Sequence, residues 1–193
     1  MPVALLVIAY LLGTFPSATL IARANGVDIS TVGSGNPGAS NVTRALGWRK
    51  GVWVYALDTL KGVLASGLAL AIDGRPLAYW CGVLVILGHM FPLFRRFRGG
   101  KGVATGSGVI LALHPVIAPF AVALWWIVTK VTGKAAVGSF VAVVMVPLGL
   151  AALGRPAWEY FAVGGLSVLI LAKHWRNFER ILKRQEPEMR TTR

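Results

Sequence analysis

The chain is a succession of apolar runs, most of them uncharged, separated by short polar connections. A membrane-spanning helix needs about 20 mostly apolar residues. Residues 2–22 carry no charged side chain. With no basic segment ahead of it, and a run long for a cleaved leader, this stretch reads as a retained anchor. Residues 51–72 form a second run, interrupted by Asp58 and Lys61, and residues 76–91 a third. Residues 102–129 are uncharged, long for one span and short for two, with Pro115 and Pro119 inside. Residues 135–153 and 157–172 are the last two runs. The pattern predicts an all-α polytopic bundle, a single integral-membrane domain over 1–193 without an internal repeat.

Composition sharpens this picture. Of the 193 residues 55% are hydrophobic and only 14% charged, against about a quarter in soluble domains. A disordered chain would be poor in apolar residues. A soluble fold of this size has too little interior for so much apolar surface. Lys and Arg number 20 against 7 Asp and Glu, a net charge of +13. A nucleic-acid binder would carry that charge on a charged soluble domain, so no nucleic-acid partner is expected. The charge is sorted along the chain instead. Arg23, Arg44, Arg49 and Lys50 lie in one connection; Arg95, Arg96, Arg98 and Lys101 lie in another. Lys130 and Lys134 flank a turn, and the tail holds Lys173, Arg176, Arg180, Lys183, Arg184, Arg190 and Arg193. The remaining connections hold only Arg75 and Arg155. If 102–129 breaks at His114-Pro115, all four basic segments face the cytoplasm under the positive-inside rule. That gives seven transmembrane helices, N-terminus outside and C-terminus cytoplasmic. Five spans with re-entrant segments keep the same parity. Cys81 stands alone, which excludes a disulfide framework or a cysteine metal site.

Three polar segments break the apolar pattern, all on the expected cytoplasmic face. The first runs from Gly33 to Arg44 as Gly-Ser-Gly-Asn-Pro-Gly-Ala-Ser-Asn-Val-Thr-Arg. Gly33, Gly35 and Gly38 let the backbone turn its N–H groups inward, and such a nest holds an anion. Ser34, Asn36, Ser40 and Asn41 add neutral donors, and Arg44 adds a guanidinium fork suited to phosphate. No Gly-Lys-Ser/Thr follows, so a nucleotide is not favoured. The second segment holds Gly88-His89 and then Gly99-Gly100-Lys101-Gly102 at the start of the fourth helix, a second anion site. The arginines between them equally suit anionic headgroups. The third places His174 and Asn177 three apart, on one face of a continuing helix. Asp58 and Lys61, also three apart, are expected to pair with each other as structural support.

Together these segments resemble the PlsY family, the acyl-phosphate:glycerol-3-phosphate acyltransferases of bacterial membranes. The resemblance rests on Gly-Ser-Gly-Asn-x-Gly-Ala-x-Asn with Arg44 following, on Asp58-x-x-Lys61-Gly62, on Gly-His-x-Phe-Pro-x-Phe with Gly-Gly-Lys-Gly-Val-Ala-Thr, and on His174-x-x-Asn177 with Arg180. Two positions depart from the pattern: Ser40 stands where the family usually has Thr, and Arg184 where it usually has Gly, two residues before Glu186. The resemblance implies transfer of a fatty acyl group from acyl phosphate to the sn-1 hydroxyl of glycerol 3-phosphate. The products are 1-acyl-glycerol 3-phosphate (lysophosphatidic acid) and phosphate, with no cofactor and no metal. It places the enzyme in the bacterial cell membrane, multi-pass, in phospholipid biosynthesis.

The residues fit that chemistry. Two phosphorylated substrates call for cations and N–H donors without metal ligands. Acyl phosphate is an activated anhydride, so no covalent enzyme intermediate is needed, and no Ser-His-Asp signature is present. Ser34, Arg44, Lys101, His174 and Asn177 are the expected catalytic residues. Gly33, Gly35, Asn36, Gly38, Ser40, Asn41, Gly99 and Gly100 complete the expected phosphate site, with Asp58, Lys61 and His89 in support. The general base is either His174 or a phosphate oxygen of the substrate, and the second is favoured. An anion or phosphate transporter is the alternative from another class, but such proteins often carry internal repeats.

Overall fold

In the computed structural model, which describes residues 2–189, the described residues are helical and contain no strand. Arg190 and Arg193 of the basic tail lie outside the described residues. The chain falls into two compact units that divide at His114-Pro115.

The first unit begins with α1 (Pro2–Gly13) and α2 (Ser17–Arg23). The run 2–22, expected as one helix, is therefore two. Pro16 is the cause: it lacks an N–H, and its ring clashes with the carbonyl four residues back. α3 (Ala39–Leu46) leads into α4 (Trp48–Met90). Inside α4, Asp73 (φ −146°) and Gly74 (φ +76°) leave helical geometry. The limbs 48–72 and 75–90 fold back on each other there, and a Cβ on Gly82 would stand 2.9 Å from Ser66 Oγ of the other limb. A 3₁₀ turn, Leu93–Arg95, leads to α5 (Val103–Leu113). α5 ends at Leu113, and His114 leaves helical geometry at φ −140° and ψ 67°. That is the bias a following proline imposes, and it makes the expected break in 102–129. Tyr79 Oη lies 2.6 Å from His114 Nε2, and Arg75 donates to the Leu113 carbonyl at 3.3 Å, tying the end of α5 to α4.

The second unit holds α6 (Ile117–Thr132), α7 (Ala135–Ala152), α8 (Ala157–Lys173) and α9 (Trp175–Leu182). Trp125 Nε1 donates to Ser139 Oγ at 3.1 Å, joining α6 to α7. Ser167 Oγ donates to the Val143 carbonyl at 2.9 Å, joining α8 to α7. His174 (φ −93°, ψ 6°) interrupts the continuous helix expected here: α8 ends at Lys173, α9 starts at Trp175, and Asn177 lies in the first turn of α9.

Pro2–Arg23, Trp48–Arg95 and Ala135–Ala152 are long and apolar enough to cross a membrane, and Val103–Leu113 and Ile117–Thr132 are shorter apolar helices. Large apolar side chains such as Leu68, Trp80, Phe120, Val131, Phe161 and Val168 point outward. That much exposed apolar surface suits lipid, not water.

Candidate active site

The first polar loop is built on a small core. Ala18, Ala22, Ile29, Val42 and Val54 are buried together beneath it, with Val32, Ala39 and Leu46 packed against them. Asp28 shapes the approach: its carboxylate accepts from Ser30 N (2.9 Å) and Ser30 Oγ (2.7 Å). The Ser30 hydroxyl, and then its amide, hold the Asp28 carboxyl below the usual carboxylate range.

Asn41, 1% exposed, is the brace of the loop. Its Nδ2 donates to the Val32 carbonyl at 3.0 Å and the Ile29 carbonyl at 3.3 Å. Its Oδ1 accepts from Ser34 N at 3.0 Å and from Arg44 Nη2 at 3.4 Å. Gly33 (φ +57°) and Gly35 (φ +66°) take the left-handed turns that bring Ser34 over this amide. A Cβ on Gly33 would overlap Asn41 Oδ1, so the position needs glycine for space as well as conformation. Ser34 Oγ accepts from Arg44 Nη2 and from Asn36 N, both at 3.4 Å. Gly38 caps α3, and Ser40 lies half-buried in its first turn. The loop thus gathers a hydroxyl, a guanidinium and glycine-flanked amides around one point, a set of donors for an oxyanion.

The second loop is wedged against the end of α4. Gly100 N donates to the His89 carbonyl at 3.0 Å. A Cβ on Gly99 would overlap that carbonyl, and one on Gly100 would enter the His89 ring. Gly102 (φ +87°) caps α5, and a Cβ on it would meet Met90 Cε at 2.5 Å. Lys101 sits between these close-packed glycines at the N-terminal end of α5, where the helix dipole favours an anion. Upstream, Arg96 (φ 51°) and Phe97 (φ 60°) take left-handed turns that side chains rarely adopt. The turn leaves Leu93, Phe94 and Phe97 exposed, as an interfacial loop requires.

Between α2 and the two limbs of α4 lies a buried polar cluster. Lys61 Nζ meets Asp58 Oδ1 at 2.6 Å, and the two residues are 3% and 1% exposed. Ser17 Oγ also donates to Asp58 Oδ1, and Lys61 Nζ donates to the Phe15 carbonyl at 2.9 Å. His89 Nδ1 lies 3.5 Å from Lys61 Nζ and 3.7 Å from Asp58 Oδ1. Asp58, His89 and Ser17 front a cavity whose wall also includes Pro37, Arg95, Gly99 and Gly100. Ser17 and Arg95 were not among the expected site residues. The first hides in a charge-free run, and the second sits among arginines suited to headgroups.

In the second unit, His174 and Asn177 are both buried. His174 Nδ1 lies 2.8 Å from the Ile170 carbonyl, and its ring meets Phe140 edge-on at 5.5 Å. A carbonyl only accepts, so Nδ1 carries a proton and Nε2 is left to face other partners. Asn177 Nδ2 donates to Glu186 Oε1 at 2.6 Å, and Arg180 Nε to Glu186 Oε2 at 2.8 Å. Glu186 is therefore a partner that orients Asn177. Sequence spacing offered no sign of this, because the tail returns by a turn at Arg184 (φ 55°).

A family model described as glycerol-3-phosphate acyltransferase matches residues 3–184. A glycerol-3-phosphate acyltransferase of Deinococcus radiodurans is 43% identical over 181 residues, covering 91% of this chain and 89% of that protein. Its counterpart in Aquifex aeolicus is 40% identical, covering 94% and 96%. Among solved structures, the glycerol 3-phosphate form of PlsY, an integral membrane glycerol 3-phosphate acyltransferase, superposes with a TM-score of 0.93. It is 38% identical, over 97% of this chain and 94% of that one. The lysophosphatidic acid form of PlsY gives 0.90 at 37% identity, over the same shares of the two chains.

Proposed function

The chain belongs to the glycerol-3-phosphate acyltransferase family, and from that premise we propose that it takes its acyl group from acyl phosphate and passes it directly to the sn-1 hydroxyl of glycerol 3-phosphate. It is an integral-membrane enzyme that acylates glycerol 3-phosphate. It acts as one domain of seven spans, N-terminus outside, with the active site on the cytoplasmic side of a bacterial membrane.

The observation that carries this reading is the pair of glycine-framed donor sets. One gathers Ser34, Asn41 and Arg44; the other frames Lys101 at the head of α5. Two phosphorylated substrates need two such places. The loop from Gly33 through Asn36 and Gly38 to Ser40, with Lys101, holds the acyl phosphate and stabilises charge on the departing phosphate. Arg44, Lys101, His174 and Asn177 hold glycerol 3-phosphate so that its hydroxyl meets the acyl carbonyl.

In the step itself, the hydroxyl oxygen bonds to the carbonyl carbon. The bond from that carbon to the phosphate oxygen breaks, and the hydroxyl proton goes to phosphate. The reaction then balances with no external base. His174 orients the hydroxyl through Nε2; its Nδ1 partner is a carbonyl and not the carboxylate that would strengthen it as a base.

The test is purified protein in a lipid bilayer. Phosphate is released from acyl phosphate only when glycerol 3-phosphate is added, and acyl-CoA or acyl carrier protein cannot substitute. Release without glycerol 3-phosphate, or phosphate flux without acylation, defeats the reading. If His174→Gln keeps most of the activity, the ring is not the base.

A further inference from the structure

We propose that His89, held by the buried Asp58–Lys61 pair, is the positioning residue that sets the Gly99-Gly100-Lys101 turn, an inference that rests on the role of Lys101 given above. His89 touches both the buried pair and the turn, through contacts on opposite sides. On one side its Nδ1 faces Lys61 Nζ at 3.5 Å and Asp58 Oδ1 at 3.7 Å. On the other, its carbonyl accepts Gly100 N at 3.0 Å, and its Nε2 edge fills the place where a Gly100 Cβ would stand. The ring therefore packs directly on the backbone next to Lys101.

The pair itself is anchored from a third element. Ser17 and the Phe15 carbonyl, on either side of the proline break between α1 and α2, hold Asp58 and Lys61 respectively. Tyr10 Oη donates to the Phe91 carbonyl at 2.8 Å, and so fixes the chain just past His89. A buried ion pair costs desolvation, and a purely apolar contact would stabilise the helices as well. What an apolar contact does not supply is a fixed ring orientation facing the cavity, whose wall includes Pro37 of the first loop and Gly99 and Gly100 of the second.

Two readouts test this in bilayer-reconstituted protein. The first is hydrogen exchange over residues 98–104 in wild type, His89→Ala, His89→Gln and Asp58→Asn. Exchange there rises about tenfold or more in His89→Ala and Asp58→Asn, while α7 is unchanged. The second is kinetic. His89→Ala raises the same KM that Lys101→Ala raises, by about tenfold, with kcat within about threefold, because the lost positioning acts through Lys101. In the Lys101→Ala background, His89→Ala then adds less than about twofold. Unchanged exchange over 98–104, or an undiminished further loss in the Lys101→Ala background, overturns the proposal. If His89→Ala does not fold, His89→Gln, which keeps the volume, is read by the same two criteria. A wild type that fails to turn over defeats the functional reading alone, since the exchange result still decides the positioning.

Discussion

Gly108→Ala tests how closely α4 and α5 must approach for the site to form. A Cβ on Gly108 would overlap the Thr59 carbonyl oxygen and stand 2.8 Å from its carbon and 3.0 Å from Val63 N. Gly62 makes the reciprocal approach: its Cβ would overlap the Thr105 carbonyl and lie 2.7 Å from Val109 N. The obstacles are all backbone, so no side chain can swing away. Moving only the Thr59 carbon from 2.8 Å to the 3.4 Å of ordinary contact requires more than half an ångström, and the overlapped oxygen requires more. Overpacking of this kind costs about 1–3 kcal/mol. In a chain of this size that is a fall in Tm of about 2–12 °C. α5 carries Gly-Gly-Lys-Gly at its head, so the displacement reaches Lys101, and kcat/KM falls by about ten- to a hundredfold. Thermal unfolding and turnover are measured on the same preparations. Gly67→Ala is the control: a Cβ there meets nothing within 4 Å, and alanine in a helix interior gains about 0.5–1 kcal/mol over glycine. If Gly108→Ala matches Gly67→Ala in both measurements, the close-approach reasoning is wrong.

Arg44→Ala lowers kcat/KM by about ten- to a hundredfold, the value of one charge-assisted hydrogen bond, in steady-state assays at fixed ionic strength. Wild-type kinetics would remove Arg44 from the phosphate site. Glu186→Ala releases Asn177 and Arg180 and costs about tenfold or more in kcat/KM; Glu186→Gln, which still accepts from Asn177 but loses the charge facing Arg180, falls between. An equal loss in both variants would point to the ion pair instead of the orientation of Asn177. Arg184→Gly relieves a left-handed turn at φ 55° and raises stability by about 0.5–1 kcal/mol, read as a higher Tm. A lower Tm would mean that the side chain, not the turn, holds the tail.

Much of this was legible in the chain itself. Apolar runs marked the apolar helices, and His114-Pro115 marked the break in 102–129, because proline biases the residue before it away from helix. The spacing of Gly33, Gly35, Asn41 and Arg44 marked the first donor set. The break at Phe15-Pro16 was carried by the same rule, yet it sat inside an uncharged run that length alone explained. What makes that break necessary lies far along the chain: Lys61 Nζ takes the Phe15 carbonyl, and Ser17 turns to Asp58. The role of Glu186 stayed open for a similar reason. Its partners lie on α9, and only the left-handed residue at 184 folds the tail back to them. Arg184 did carry a trace of this, as a departure from a pattern that usually has glycine there.

The glycines bind these observations into one account. Read as composition, 23 glycines meant only small residues for close helix packing. In the first unit two groups of them stand out. Gly33 and Gly35 set the backbone of the first donor loop. Gly62 and Gly108 bring α4 and α5 into backbone contact, while a Cβ on Gly13 or Gly88 would overlap the Val85 or Tyr10 carbonyl where α1 crosses α4. Both crossings adjoin the Asp58–Lys61–His89 cluster along the chain: Gly62 follows Lys61, and Gly88 precedes His89. An ion pair this buried survives only where every partner is held at hydrogen-bond distance, since a gap would leave a charge unsatisfied. Backbone-to-backbone crossings supply that rigidity, because no side chain stands between the helices to yield. Widening either crossing by one methyl should therefore disturb the cluster before it unfolds the helices. Gly88→Ala is then expected to lose turnover at a temperature where the helical signal in circular dichroism is still intact. Simultaneous loss of both would refute the link between crossing and cluster.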